Sequence, residues 1–367
     1  MKVLFLVLYP KQAPSPRYRV YNLIPWLEKS GMVCDVRPLI SESDYPVSRR
    51  KGAYLQKIWM LAKGFRERLR LVRQASNYDA VYVLKAAFPY GPPIIERKLR
   101  KKNVPLIFDF DDAIQIHKPS GNHRFLDFLK PPSRTNDVVA LANRVVVPNN
   151  FLADFAKRYN EAVTIVPEAE DTERLYPRSK HTNNKPQIVI GWVGSPSTAK
   201  YLKLITEALR EICSRYPQVI VRVIGGSFLA DGVRTEEVAW SLDKEGELFH
   251  SLDIGIMPLP LEDWSKGKSG CKLRQYMATG VPGVATKIGY NCELVNDGET
   301  GFLVETNAEW VTALATLIEH SELRNRIAEA ARTDVETRFA ITTVGPLLKG
   351  AITGVARSCQ NGYTTTQ

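Results

Sequence analysis

Between residues 266 and 282 the chain reads Lys266-Gly267-Lys268-Ser269-Gly270-Cys271-Lys272-Leu273-Arg274-Gln275-Tyr276-Met277-Ala278-Thr279-Gly280-Val281-Pro282. Glycines and Ser269 precede a helix expected to begin near Cys271, so free backbone N–H groups and the positive helix end can receive an anion. Lys268 and Lys272 add mobile point charges suited to a diphosphate, and Gln275, one turn further in, can hydrogen-bond a ribose hydroxyl. The plainer alternative is a helix start that merely happens to be basic. A second strand-to-helix turn in the same half, Gly191-Trp192-Val193-Gly194-Ser195-Pro196-Ser197, favours the ligand reading, because open α/β sheets bind ligands at such turns. Gly194 and Ser195 lie in that turn, and Lys200 is placed to add a second phosphate contact.

The stretch Gln275 to Pro282, followed by Glu293-Leu294-Val295-Asn296-Asp297-Gly298-Glu299-Thr300-Gly301-Phe302-Leu303-Val304, resembles the donor-site region of family 4 retaining glycosyltransferases. The resemblance runs back through Ile190 to Gly194 and, more loosely, through Val163 to Pro167 and Asp171 to Arg174. It covers about residues 170 to 305 well and the first 100 residues weakly. It implies a GT-B fold, an α/β architecture of two Rossmann-like domains facing across a cleft. It also implies a nucleotide diphosphate-sugar donor held mainly by the second domain, and transfer that requires no cofactor and no metal. The family's pair of glutamates eight residues apart falls here on Gly267 and Gln275, so neither carboxylate is present. That departure keeps open a non-catalytic protein that binds nucleotide-sugar on the same fold.

A second constellation is Phe108-Asp109-Phe110-Asp111-Asp112, directly after an apolar run. Three adjacent carboxylates repel one another, so one is expected to hold its proton unless a cation lies nearby. Asp111 or Asp112 could orient an acceptor hydroxyl, accept its proton, or stabilise positive charge at the anomeric carbon. Asp109-Phe110-Asp111 also matches a DxD spacing that holds a divalent metal in another glycosyltransferase architecture, GT-A, and Asp112 could instead cap the next segment. Arg17 and Arg19, in Ser15-Pro16-Arg17-Tyr18-Arg19 after the first strand, are candidates for holding phosphate or an acidic acceptor; plain surface arginines are the alternative. His117 and His123 follow the acidic cluster, either lining the cleft or as loop residues, and no histidine has a partner at metal-ligand spacing. GxGxxG, Walker and GxSxG signatures are absent.

The elements that must position these residues follow from the hydrophobic pattern. At 367 residues two domains are expected. Short β-branched runs alternate with amphipathic segments, which indicates parallel sheets wrapped by helices. Strands are expected near 3–8, 33–37, 80–84, 104–108, 144–147 and 163–166, then at 188–190, 219–224, 253–257 and 283–286. One helix is expected from Arg17 to Lys29. The polar, proline-bounded stretch Tyr176 to Pro186 reads as an interdomain linker, giving domains 1–170 and 171–338. A last helix, about 339–353, could return to the first domain, and 356–367 forms a frayed tail.

Five cysteines without a CxxC pair fit a reducing cytoplasm, and the apolar opening Val3 to Leu8 is too short for a signal h-region. The net charge of +11 calls for an anionic partner. Between Arg49 and Arg73 nine basic residues face the single acid Glu67, while Leu55, Ile58, Leu61, Ala62, Phe65, Leu69 and Val72 recur at helical spacing. This basic amphipathic helix either buries its stripe in the core or lies on an anionic membrane surface. A second basic run, Arg97 to Lys102, thickens the positive face if the two are neighbours. No recognised module points to specific nucleic acid. The expectation is a cytoplasmic glycosyltransferase, peripheral on the inner membrane face, that moves sugar to a glycan or lipid-linked acceptor in envelope polysaccharide or glycoconjugate synthesis.

Overall fold

A computed structural model describes residues 1–50, 52–116, 133–177 and 187–361. His117, His123, most of the polar stretch ending at Pro186 and the end of the tail lie outside the described residues. The chain divides into two compact units, Met1–Ala169 with the chain from Ile341 onward, and Glu170–Ala340.

Each unit is built on a six-stranded sheet in which every pairing is parallel. In the first unit the strands are β1 (Lys2–Val7), β2 (Val33–Pro38), β3 (Ala80–Leu84), β4 (Leu106–Asp109), β5 (Arg144–Val147) and β6 (Val163–Ile165). Their order is β2-β1-β3-β4-β5-β6. In the second unit they are β7 (Ile188–Val193), β8 (Val219–Ile224), β9 (Thr235–Val238), β10 (Ile254–Met257), β11 (Gly283–Thr286) and β12 (Gly301–Val304), in the order β12-β11-β10-β7-β8-β9. Parallel strands are covered on both faces, so their sequences are continuous apolar runs such as Val3 to Val7, every residue of which is at most 1% exposed. Both orders reverse beside the first strand of the unit, between β1 and β3 and between β7 and β10. These are the switch points at which open α/β sheets offer a ligand crevice.

Two strands escape the hydrophobic pattern. β9 is Thr-Glu-Glu-Val at a sheet edge and carries almost no apolar signal, while β12 begins on Gly301. The single helix expected from Arg17 to Lys29 is broken into a π-helical turn, Arg17–Tyr21, and a short helix, Ile24–Lys29. Pro25 is the reason: it has no N–H to give to Tyr21, and the chain switches register before it. The last helix starts at Ile341 and runs to Asn361, later and longer than 339–353, because the preceding helix continues to Phe339 and Ala340 is extended. Val344, Leu348, Ala351, Ile352 and Val355 of this last helix are buried in the first unit with Val3, Phe5, Val7, Tyr82 and Leu84.

The helix Tyr54–Arg73 does not bury the stripe that its periodicity suggests. Its buried residues are Met60, Gly64, Arg68, Leu71 and Val72, while Leu55 is 84% and Ile58 62% exposed. The anchor is Arg68, whose guanidinium donates to the carbonyls of Val7 (2.8 Å), Arg37 (3.0 Å) and Ala87 (2.9 Å). Burial pulls its pKa down to about 10. These bonds satisfy carbonyls at and beyond the ends of β1, β2 and β3, and they fix which side of the helix faces inward.

Candidate functional site

The helix Cys271–Ala278 follows the switch point of the second unit. It is held under the sheet by Tyr276, which is fully buried. The Tyr276 hydroxyl lies 3.2 and 3.3 Å from the carbonyls of Gly191 and Ile256 and accepts from the Val193 N–H at 3.3 Å. The helix start is thereby fixed to β7 and β10. Gly270 precedes it in a left-handed conformation (φ 68°), and a Cβ there would run into Leu294, so only glycine makes this entry. No side chain caps this helix start. Arg274 is fully buried and donates back to the Ser269 carbonyl, which ties the preceding loop to the helix.

The structure brings together Gly194 and Lys272, which are 78 positions apart in sequence (272 − 194). A Cβ at Gly194 would stand 2.6 Å from the Trp192 ring and 2.9 Å from Lys272 Cε. Lys272 Nζ lies over that ring, 5.3 Å from its centre. Lys268 Nζ sits 3.7 Å from the centre of the Trp264 ring, and Lys200 Nζ 5.4 Å from that of Tyr201. Contacts of this kind at exposed sites are worth about 0.5–1 kcal/mol, less than a charge-assisted phosphate contact. Ser195 opens the helical turn Pro196–Ala199 immediately after β7. Gln275 is 5% exposed and donates to Glu245 (3.2 Å), which in turn pairs with Arg174 (2.5 Å). A ribose contact from Gln275 would have to exchange with that bond. Glu245 was not foreseen in the sequence: it stands on a short helix with no apolar period to mark it as buried.

In the first unit the acidic run is answered by two cations. Asp109 ends β4 with no exposure, accepts two hydrogen bonds from the Arg19 guanidinium (Nε 2.9 Å, Nη2 2.8 Å) and one from the Tyr82 hydroxyl. Arg19 also donates to the Val166 carbonyl at 2.5 Å. Burial raises the Asp109 pKa, opposed by the Arg19 charge and by the bonds from Arg19 and Tyr82. Arg19 is therefore a buried counter-ion, 2% exposed, and not the phosphate or acceptor ligand that its position in the loop suggests. Arg17 is also buried, at 5%, and lies against the Tyr18 ring.

Lys85 Nζ stands 2.9 Å from a carboxylate oxygen of Asp111 and 2.9 Å from one of Asp112. Burial alone would lower its pKa, but the two carboxylates outweigh that effect and the value is raised. Lys85 directly follows β3 and is left-handed (φ 62°), a conformation that costs a non-glycine residue about 1–3 kcal/mol. Strain of this kind collects at functional positions. The Lys85 backbone N–H donates to the Asp109 carbonyl (2.7 Å), so one residue braces the acidic strand end through both main chain and side chain. The signal for Lys85 was a charge placed immediately after a fully buried strand. Each carboxylate of the DxD spacing is thus paired with a cation, and among the described residues no cluster of three or more His, Cys, Asp or Glu could hold a metal ion.

Residues 176–334 match the family model for glycosyl transferases group 1. The second unit carries a glycosyl transferases group 1 domain. A D-inositol 3-phosphate glycosyltransferase from Corynebacterium urealyticum is 26% identical over 248 residues, which is 58% of this chain and 56% of that protein. The chain thus spans about half the length of this relative. Sucrose-phosphate synthase from Thermosynechococcus elongatus superposes with a TM-score of 0.71 at 13% identity, covering 97% of this chain and 99% of the other. Anabaena HepE, solved with UDP and glucose, gives 0.66 at 18% identity, covering 96% and 100%. These two likenesses concern the fold, which is GT-B with two Rossmann-like halves. Every residue expected at the diphosphate, from Gly194 to Gln275, falls inside the group 1 domain.

Proposed function

We propose that this chain is a glycosyltransferase that moves a sugar from a nucleoside diphosphate donor. The observation that carries the reading is the apposition of Gly194 and Lys272 at the β7/β10 switch point, beside an uncapped helix start, within the group 1 domain. The bond from the anomeric carbon to the diphosphate oxygen breaks with its electron pair on the diphosphate. The acceptor oxygen takes its place and would pass its proton to a carboxylate of Asp111 or Asp112. Lys200, Lys268 and Lys272, with the backbone N–H groups of the Ser269–Gly270 turn, would stabilise the departing diphosphate where its charge develops, without a metal. The resemblance to retaining enzymes supports attack with retention. HepE is solved with UDP-glucose, which makes that donor the first to test.

Asp111 and Asp112 would hold the acceptor hydroxyl, with Lys85 fixing both carboxylates. The acceptor we infer is a glycan or a lipid-linked sugar of envelope or glycoconjugate synthesis, reached from the cytoplasmic membrane face through Arg49 to Arg73. Support comes from the exposed cationic and apolar residues of the helix Tyr54–Arg73 and from its packing on the basic helix Ile94–Arg100. No helix among the described residues is long and apolar enough to cross a membrane.

One observation favours a second reading, a nucleotide-sugar-binding protein without turnover: Gly267 and Gln275 replace the two family glutamates, and Gln275 is buried against Glu245. Assaying nucleoside diphosphate release from UDP-glucose and other donors, with pooled lipid and glycan acceptors, separates the two. Acceptor-dependent release that falls in Lys272→Ala and Asp112→Asn supports transfer. Tight donor binding with no release under any acceptor supports the second reading.

A further inference from the structure

The apolar stripe of the helix Tyr54–Arg73 leads to a cavity. Tyr54 (62%), Leu55 (84%), Ile58 (62%) and Trp59 (63%) are exposed, and one turn on from Ile58 the residues Leu61, Ala62 and Phe65 enter the wall of a cavity of about 300 Å³. Its other wall comes from Phe88 to Ile95, with Phe65 and Phe88 in edge contact at 5.0 Å between centres. The lining is apolar apart from the Tyr90 hydroxyl and Glu96, whose Oε1 accepts from the Ala87 N–H and from Arg134. This cavity lies wholly in the first unit.

Around the stripe positive charge predominates, with Glu67 beside Arg70 (3.7 Å) and Asp137 beside Arg97 (2.9 Å) as the acids paired into it. Lys63, Arg66, Arg70 and Arg73 on this helix and Arg97, Lys98, Arg100, Lys101 and Lys102 on and after its neighbour are all exposed, with Lys63 Nζ 5.4 Å from the Trp59 ring centre. A soluble protein seldom leaves four large apolar side chains on one helical turn and a half beside an apolar hollow. A cationic rim with an aromatic next to a hydrocarbon surface is what an anionic lipid interface demands.

We infer that this cavity takes one acyl chain of an anionic membrane phospholipid, drawn out beside the stripe while the surrounding lysines and arginines hold the phosphate surface. The inference rests on the membrane-docking part of the proposed function and deepens it: docking is by chain capture as well as by charge. A plain charge-docked helix needs no hollow, and eight of the ten residues that line this one, all but Tyr90 and Glu96, have no polar side-chain atom to offer a polar ligand.

The test uses the full chain and 1-lauroyl lysophosphatidylglycerol kept below its micelle-forming concentration, with glycerol phosphate as the headgroup alone. Vesicle flotation is run in parallel, on phosphatidylglycerol-containing and on neutral vesicles. Wild type is expected to bind the lysolipid and not glycerol phosphate. Ala62→Trp and Ile94→Trp, two separate ways to fill the cavity, should each weaken lysolipid binding about tenfold or more with the thermal midpoint kept. Lys63→Glu with Arg66→Glu should reduce flotation more than lysolipid binding. Equal lysolipid affinity in wild type and both filled variants overturns the cavity assignment, as does equal binding of glycerol phosphate. Failure of wild type to float on anionic vesicles while it still binds lysolipid overturns surface docking and leaves the cavity standing; flotation without lysolipid binding does the reverse.

Discussion

Lys85 shows how a single residue can set the character of a strand end. Its ammonium is shared by Asp111 and Asp112, and its left-handed backbone places it there. Replacing it with Met should leave two carboxylates facing each other in a partly buried place. The expected cost is about 1–3 kcal/mol in chemical denaturation, together with loss of acceptor-dependent turnover. The raised pKa fixes the pH window. Stability from this pairing is fully present below the unfolded-state lysine value of about 10.4 and is lost only as pH rises through the higher folded-state value. Turnover between about pH 7 and 10 should therefore show no limb that disappears in Lys85→Arg. The Arg19–Asp109 pair is deeper. Arg19→Met strands a carboxylate with no exposure, and a loss of roughly 3–5 kcal/mol is expected, measured as a shift in the urea midpoint. Of these partnerships the sequence showed the acids and the arginines but not the pairing. Arg19 and Asp109 are 90 positions apart, and nothing local distinguishes a buried counter-ion from a phosphate ligand.

At the scale of elements, the helix Tyr54–Arg73 was legible as a helix and as basic and amphipathic, and its inward side was not. Periodicity identifies a stripe, but Arg68 chooses the inward side through carbonyls supplied by β1, β2 and the loop after β3, which are long-range partners. Leu55→Ser and Trp59→Ser should therefore change stability by no more than about 0.5 kcal/mol, as surface substitutions do. A loss above 2 kcal/mol in either would mean that the stripe is core after all. The helix Cys271–Ala278 behaves in the opposite way. Gly270 and the Tyr276 anchor lie in a motif whose start and stop residues were readable, and the glycine's left-handed turn against Leu294 explains why that residue type is needed.

For the whole molecule, parallel sheets announce themselves because strands buried on both faces read as uninterrupted apolar runs. Ten of the twelve strands were visible in the sequence, most of them in this way, although the edge strand β2 (Val-Cys-Asp-Val-Arg-Pro) was read from its β-branched residues; the two that were not, β9 and β12, lie at opposite edges of the second sheet. The first unit is discontinuous in sequence, and its last helix contributes Val344, Leu348, Ala351, Ile352 and Val355 to the core. At about 1.5–3 kcal/mol for each buried aliphatic side chain, their sum rivals the total stability of a domain, ~5–15 kcal/mol. A chain ending at Ala340 should accordingly lose cooperative unfolding of the first unit and be cut there by low protease concentrations.

The central claim is that the β7/β10 switch point of the group 1 domain binds a nucleoside diphosphate through Lys272 and its neighbours. The most direct measurement is thermal unfolding of the full chain against a panel of nucleoside diphosphates and nucleotide-sugars, wild type beside Lys272→Ala. A ligand at ~100 times its dissociation constant stabilises by about 2.7 kcal/mol. A clear upward shift with one base, lost in Lys272→Ala while its unliganded midpoint is unchanged, is the predicted result. No shift with any member of the panel, or an equal shift in both proteins, would contradict it.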